Sequence, residues 1–150
     1  MMKVYFVQHG IALSKDHNEK RPLSETGENE VRKVAQHLKA HDVAISKICH
    51  SGKLRARQTA ELFAEILNVG VVSEISGLKP NDHPEMLIQQ INDDGVMYIG
   101  HLPNLQHVVA KIAGSNGNSP VIKFQNAGVV CIDIEEGEGR IEWFITPAIC

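Results

Sequence analysis

Three residues that could do chemistry each come shortly after an apolar, strand-like run of the 150-residue chain: His9, Arg55 and His101. A histidine can attack phosphorus through an unprotonated ring nitrogen, which an ordinary histidine offers near neutral pH. Its other ring nitrogen is expected to donate to a backbone carbonyl. An arginine presents a planar fork that can bind two phosphate oxygens at once. These residue types predict a phosphate site, provided that the three runs pair in one sheet.

The neighbours of these three residues suit an anion as well. Gly10, directly after His9, lets the backbone turn tightly and approach a ligand closely. Arg55 falls in the first turn of a predicted helix, where free backbone N–H groups also attract negative charge. Ser51 stands between the second apolar run and that helix. We therefore expect Gly10 and Ser51 to contribute to substrate binding.

Strand-like and helix-like patterns alternate along the chain. Short apolar runs rich in β-branched and aromatic residues predict strands, and apolar residues at i, i+3, i+4 and i+7 predict amphipathic helices. The predicted strands cover residues 4–7, 45–50, 71–75, 96–100, 121–124, 128–134 and 140–146, the last two forming a hairpin. The predicted helices follow Ser24 as N-cap, follow Gly52, begin at Pro84, and run from Pro103 to a cluster of helix-breaking residues at 114–120.

This alternation predicts an α/β fold, namely a three-layer α/β/α sandwich with a mainly parallel sheet and an antiparallel C-terminal addition. Neither a linker nor a repeat interrupts residues 1–150, so a single domain is expected. In open α/β sheets, ligands bind outside the carboxyl ends of the strands. The fold would therefore bring His9, Arg55 and His101 to one edge of the sheet.

Composition and charge narrow the classes of partner. A net charge of -3 and a pI near 6.2 leave no basic field for nucleic acid, and no polybasic run seeks an anionic membrane. The apolar runs are far shorter than the roughly 20 residues that span a bilayer. Because the strand pattern begins within the first few residues, we expect no signal peptide and a cytoplasmic protein.

Cysteines and the remaining histidines give no pattern typical of a metal site. Cys49, Cys131 and Cys150 lack CxxC spacing, and free cysteines of this kind usually pack as small hydrophobic residues. His37 and His41 share a helix face, but no carboxylate with zinc-site spacing accompanies them and no HExxH pattern occurs. We therefore expect no metal and no other cofactor.

Several segments resemble the histidine phosphatase superfamily and, within it, the short bacterial phosphohistidine phosphatases. The matching pieces are QHG at 8–10, RPLS at 21–24 with Gly27, SGKLRARQT at 51–59 and GHLP at 100–103. They follow the family's order and spacing over almost the whole chain, and the RAxQT-like segment with the later GHLP is the most specific part. The resemblance implies an α/β/α sandwich, no metal, and a phosphohistidine intermediate on His9. It also implies that Arg55 and His101 lie in the phosphate pocket.

One position departs from the family's pattern. The family motif begins Arg-His-Gly, whereas this chain has Gln8 before His9. Gln8 can still donate one neutral hydrogen bond, which contributes about 1 kcal/mol against about 1.5–3 kcal/mol for a charge-assisted one. Losing about 1–2 kcal/mol of transition-state stabilisation would slow turnover roughly 5- to 30-fold. Catalytic activity is therefore expected to be weakened rather than abolished.

A second arginine could replace the missing charge. Arg21 precedes the first helix, at the end of the polar segment 13–21, and could reach the mouth of the site as a further substrate-binding residue. Arg57 lies two residues beyond Arg55 on the same helix and should point elsewhere. Residues 13–21 would then form either a mobile loop over the site or a plain solvated loop.

A general acid for the leaving group is not singled out by the sequence. Asp82 and Glu85, after the third predicted strand, are the nearest candidates, although the polar first turn of a helix explains them equally well. A phosphohistidine substrate makes this gap tolerable, because its imidazole leaving group can take a proton from solvent.

Two other functions remain open at this point. A phosphate- or phosphoprotein-binding module with impaired catalysis would also explain Gln8. A phosphatase of small phosphate esters is the other alternative, although the short connections predict an open site that could admit a histidine on a protein surface. The expected partner is a phosphorylated protein, such as a histidine-phosphotransfer domain in signal transduction, or a small phosphorylated molecule.

Overall fold

The computed structural model describes residues 1–114 and 119–150. Its strands are β1 (Met2–Gln8), β2 (Lys47–His50), β3 (Val72–Glu74), β4 (Val96–Gly100), β5 (Val129–Glu135) and β6 (Glu138–Ile145). Its helices are α1 (Glu25–Ala40), α2 (Leu54–Leu67), α3 (Pro84–Ile88) and α4 (Asn104–Ala113), followed by a 3₁₀ turn at Pro147–Ile149.

The six strands form one mixed sheet in the order β3-β2-β4-β1-β5-β6. Strands β3, β2, β4 and β1 are parallel to one another. Strand β5 pairs antiparallel with β1, and β6 pairs antiparallel with β5. The predicted α/β fold class, with a mainly parallel sheet and an antiparallel C-terminal addition, is confirmed.

Helices cover both faces of this sheet, which gives the three predicted layers. One core contains the inward faces of α1 and α2, with Val34 and Phe63 packed on the Tyr5 and Val7 side of β1. The other contains α3 and α4, packed on the opposite side of the same strand. Successive residues of a strand point to opposite faces, so β1 contributes apolar side chains to both cores.

Local signals in the sequence placed several element ends correctly. Ser24 caps α1, and its Oγ accepts a hydrogen bond from the N–H of Gly27 at 3.0 Å. Pro84 is in the first turn of α3, as predicted. Strand β4 has the predicted bounds, and Gly95 before it has a φ of 81°, which is favourable only for a residue without a side chain.

The predicted strand at residues 121–124 is wrong. This segment is irregular: Val121 is exposed, and Phe124 is buried against Phe144 of β6. Phe124 therefore serves packing rather than sheet pairing, and a short apolar run alone does not distinguish the two. Helix α4 ends at Ala113, but residues 115–118 of the predicted helix-breaking cluster at 114–120 lie outside the described residues.

The two edges of the sheet differ in character. Strand β3 has only three residues, whereas β6 is long and carries the exposed charged residues Glu138, Arg140 and Glu142. Glu142 forms an ion pair with Lys3 of β1 at 3.0 Å. Among the helices of the described residues, none is long and apolar enough to cross a membrane.

Candidate active site

Parallel pairing of β1 with β4 brings the two predicted histidines together. Gln8 of β1 lies opposite Gly100 of β4, so His9 and His101 both follow directly at the same edge. The backbone N–H of His9 donates to the carbonyl of Gly100 at 3.2 Å. The two imidazole rings lie 4.9 Å apart between centroids. The convergence expected from the sequence is therefore present.

The ring of His9 is oriented by its own backbone. Its Nδ1 lies 2.7 Å from the carbonyl oxygen of Gly10, which can only accept, so Nδ1 carries the proton and donates. Nε2 is thereby left unprotonated in the neutral ring. Arg55 Nε approaches this Nε2 at 3.4 Å. The nitrogen with a free electron pair thus faces the guanidinium.

The surroundings of His9 keep it neutral. Burial is the largest cause that lowers the pKa of His9 from 6.5 to about 4, and only 9 % of the residue is exposed. The positive charges of Arg55 and Arg21 act in the same direction, whereas the hydrogen bond to Gly10 acts against them. His9 is therefore available with an unprotonated nitrogen far below neutral pH.

His101 is held by Ser51. Its Nε2 lies 2.7 Å from Ser51 Oγ, which in turn accepts from the N–H of Lys53 at 3.3 Å. Burial, followed by the charges of His9 and Arg55, lowers the pKa of His101 to about 3. In the free protein His101 is therefore a neutral hydrogen-bonding group, and it carries no positive charge of its own.

Arg55 and Arg21 are the two arginines whose charges act on both histidines of the site. Arg55 stands in the first turn of α2, half-buried beside His9. The charge of Arg21 lowers the pKa values of His9, His101 and Arg55, so it acts electrostatically on the site. Its Nε donates to the carbonyl of Leu13 at 3.0 Å. This bond joins the two ends of the polar segment 13–21.

Arg57, the other arginine near the motif, points away as predicted. It is exposed and lies 3.6 Å from Glu61 in an i, i+4 ion pair on the outer face of α2. An exposed pair of this kind contributes little to stability. Arg57 therefore offers a matched control for Arg21 in experiments on the site.

Among the described residues, the side-chain oxygen of Gln8 has no hydrogen-bond partner. The residue is half-buried, and its Oε1 is inaccessible to solvent without a hydrogen bond. A buried polar atom without a hydrogen-bond partner costs free energy, and such atoms are unusual in folded proteins. At the position where the family motif has arginine, the Gln8 side chain is therefore not fully hydrogen-bonded in the free protein.

Two residues of α2 contribute contacts that the sequence did not reveal as part of the site. Thr59, fully buried, accepts from the N–H of Gly10 at 3.0 Å and donates to the carbonyl of Arg55 at 2.7 Å. Gln58 Oε1 accepts from the N–H of Leu23 at 2.7 Å. In the sequence Thr59 stood out as the last residue of the family-like run 51–59, and a polar threonine there was the available signal.

The two candidate acids have other partners. The carboxylate of Asp82 accepts from the N–H groups of Gly77 at 3.1 Å and Lys79 at 3.0 Å, so it stabilises its own loop. The carboxylate of Glu85 pairs with Lys111 at 2.5 Å. Neither carboxylate forms any of these bonds with His9 or His101.

Other polar and apolar features lie elsewhere on the molecule. His37 and His41 stack with ring centroids 4.3 Å apart, beside an apolar cavity of about 330 Å³ between α1 and β6. Over residues 1–114 and 119–150, no group of three or more histidine, cysteine or acidic side chains is placed to hold a metal ion. Cys49 and Cys131 are buried and Cys150 is half-buried, and all three are free thiols.

The arrangement suits transfer of a phosphoryl group. A neutral imidazole with a free Nε2 can attack phosphorus, and guanidinium groups can neutralise the equatorial oxygens. Positioning and charge are the main demands of this reaction on a protein. The fold and the motifs around these residues can be compared with those of known phosphatases.

The chain belongs to the histidine phosphatase superfamily, whose branch 1 matches residues 4–79. The phosphohistidine phosphatase SixA of Escherichia coli (strain K12) is 30% identical over 155 residues, which cover 97% of this chain and 94% of that protein. The chain is therefore a SixA-like member of this superfamily of phosphatases.

Solved structures agree with this assignment. A protein histidine phosphatase SixA complexed with tungstate superposes with a TM-score of 0.85 and 27% identity, covering 99% of both chains. A phosphoserine phosphatase mutant from Entamoeba histolytica in complex with phosphoserine has a TM-score of 0.74 at 15% identity, covering 98% of both chains. At that identity the second likeness supports the fold alone.

Proposed function

We propose that this protein is a phosphohistidine phosphatase that removes phosphate from a phosphorylated histidine of a partner protein. The observation that carries the proposal is the geometry of His9. Its Nδ1 is bound to the Gly10 carbonyl at 2.7 Å, and its Nε2 faces Arg55. This leaves one ring nitrogen both unprotonated and next to a cation, as a nucleophile toward phosphate requires.

The reaction proceeds in two transfers. His9 Nε2 attacks phosphorus, and the bond from phosphorus to the substrate's imidazole nitrogen breaks as that imidazole takes a proton from solvent. A phosphohistidine forms on His9. Water then attacks the same phosphorus, the bond to Nε2 breaks, and inorganic phosphate leaves with His9 neutral again. Both steps need in-line placement of the attacking and leaving atoms.

Arg55 and His101 act on the transferred group. The guanidinium of Arg55 binds two of its oxygens, and His101 donates one hydrogen bond. Ser51 orients the ring of His101 through its 2.7 Å contact. Gly10 contributes through its backbone: it has no side chain to collide with α1, and its carbonyl orients the ring of His9.

Arg21 compensates in part for Gln8. Its charge acts on His9, His101 and Arg55, and the same positive charge would attract a phosphate bound beside them. Gln8 supplies at most a neutral hydrogen bond after its amide turns toward the ligand. The site therefore keeps two arginines, but one of them comes from a loop rather than from the end of β1.

Over residues 1–114 and 119–150, no acidic side chain is hydrogen-bonded to either histidine, which fits this substrate class. When a phosphoramidate is cleaved, the leaving group is an imidazole, which solvent can protonate before it departs. An alkoxide leaving group instead requires a positioned acid. The proposed reaction also requires no metal, because arginines supply the positive charge. We further propose that residues 1–150 act as a single domain in the cytoplasm.

The decisive experiment compares wild type, His9→Ala and Gln8→Arg on a phosphohistidine-bearing protein. Release of phosphate by wild type, with acid-labile phosphate trapped on His9 and neither seen with His9→Ala, would support the proposal. Gln8→Arg should raise turnover about 5- to 30-fold. Turnover by His9→Ala at the wild-type rate would refute it, and an unchanged rate for Gln8→Arg would refute the account of Gln8.

Arg21→Ala and Arg57→Ala form a matched pair in the same assay. Arg21→Ala should lower turnover about tenfold, because it removes a charge that reaches the site. Arg57→Ala should leave turnover within about twofold, since its partner is Glu61 on the outer face of α2. Equal effects of the two substitutions would contradict the proposed role of Arg21.

A phosphate- or phosphoprotein-binding module is the second candidate. The observation in its favour is Gln8, whose buried Oε1 has no hydrogen-bond partner in the described part of the chain. Measurable binding of inorganic phosphate, with neither turnover nor label on His9, would favour this function. Turnover of small phosphate esters at rates above those on phosphohistidine would instead favour the small-ester phosphatase.

A further inference from the structure

Thr59 connects the two parts of the site that must be in register, although it touches neither phosphate nor solvent. It is 0 % exposed, in the second turn of α2, one turn after Arg55. Its Oγ1 lies 2.7 Å from the carbonyl of Arg55 and 3.0 Å from the N–H of Gly10. One hydroxyl thus joins the helix that carries Arg55 to the loop that carries His9.

The hydrogen-bond directions at this hydroxyl are fixed. A hydroxyl has one proton, and the carbonyl of Arg55 can only accept, so Thr59 donates there. Its lone pairs then accept from the N–H of Gly10. The carbonyl of the same Gly10 accepts from His9 Nδ1 at 2.7 Å. Both polar groups of Gly10 are therefore engaged, one by Thr59 and one by the nucleophile's ring.

The loop that carries His9 and Gly10 has little room to move. A Cβ on Gly10 would lie 2.9 Å from Val31 and 3.2 Å from the carbonyl of Gly27, so α1 presses directly on the backbone. Without the Thr59 hydroxyl, the buried N–H of Gly10 would have no partner in this space, and buried groups of that kind are rarely left unpaired. The peptide would rotate or shift to find one.

We propose that Thr59 is a positioning residue that sets the tautomer and aim of His9 relative to Arg55 through Gly10. The proposal rests on the nucleophilic role proposed for His9. It differs from a packing role in a defined way: the hydroxyl matters, and the methyl group of the side chain does not.

The first test reads the ring of His9 directly and needs no catalysis. Nitrogen-15 NMR of the free protein should show wild-type His9 protonated at Nδ1 and unprotonated at Nε2. Thr59→Val, which keeps the shape and removes the hydroxyl, should mix the tautomers or shift these signals, and Thr59→Ser should restore them. Phe63→Leu, on the same buried face of α2, is the control for a general loss of stability and should leave them unchanged.

The second test measures turnover of a phosphohistidine-bearing protein by the same variants. Thr59→Val should lower kcat about 10- to 100-fold with KM within about threefold, since a misplaced nucleophile affects the reaction more than binding. Thr59→Ser and Phe63→Leu should stay within about threefold of wild type. Should Thr59→Val fail to fold, Thr59→Ala takes its place with the same expectations.

The outcomes separate this inference from the proposed function. Unchanged His9 signals and a kcat within about twofold for Thr59→Val would overturn the role of Thr59. Equal shifts for Thr59→Val and Phe63→Leu would also overturn it, because they would show only a packing role. If wild type shows no turnover, the proposed phosphatase function fails, while the NMR comparison still decides the positioning of His9.

Discussion

His9 should titrate far below an ordinary histidine, and this can be measured. Burial, with help from Arg55 and Arg21, lowers its pKa from 6.5 to about 4. At pH 5 about nine-tenths of the rings would then be neutral, against about one in thirty at a pKa of 6.5. Acidification from pH 7 to pH 5 should therefore leave the nucleophile almost fully available.

The measurement is an NMR titration of the imidazole signals, with the His9 signals identified by their loss in His9→Ala. Circular dichroism at each pH defines the range over which the protein stays folded. Arg55→Gln should raise the midpoint only in part, because burial is the largest cause of the lowered pKa. A wild-type midpoint at or above about 6 would refute the reasoning, since it would show that water reaches the ring freely.

Three further predictions concern stability and charge. The pKa of His9 is lower in the folded protein than its ordinary value of 6.5, so its contribution of roughly 3 kcal/mol is present above pH 6.5 and lost as the pH falls toward 4. Urea unfolding at several pH values checks this, and His101 should add to the slope in the same direction. Arg55→Lys should lower kcat more than about tenfold with little change in melting temperature, because lysine cannot bind two oxygens in the same geometry. Ser24→Ala should cost about 1 kcal/mol of unfolding free energy, since it removes the cap on the N–H of Gly27; an unchanged urea midpoint would show that the cap is unimportant.

The sequence predicted those parts of the fold that depend on local signals. Strand β4 lies between Gly95, whose positive φ ends one segment, and the polar residue His101, which begins the next. The edge on which the site lies also followed from local patterns, because parallel strands in an α/β sheet end on the same side. Convergence of the two histidines needed only that β1 and β4 be neighbours.

Other features depend on contacts between distant segments and could not be read from the sequence. Residues 121–124 have a strand-like composition, but Phe124 packs on Phe144 and the segment pairs with none of the described strands. The contact of Ser51 with His101 joins residues fifty positions apart. Its 2.7 Å length follows from the pairing of β2 with β4, which no local pattern specifies.

The edges of the sheet bear on how this protein behaves when it is concentrated. An exposed strand edge is a template on which a second chain can add a strand, and long, flat, uncharged edges promote aggregation. Here β3 offers only three residues, and β6 presents Glu138, Arg140 and Glu142 along its length. A second copy that approached β6 to extend the sheet would press against these charged side chains and remove part of their solvation. The sheet that assembles the site is thus terminated on both sides by strands that discourage further growth.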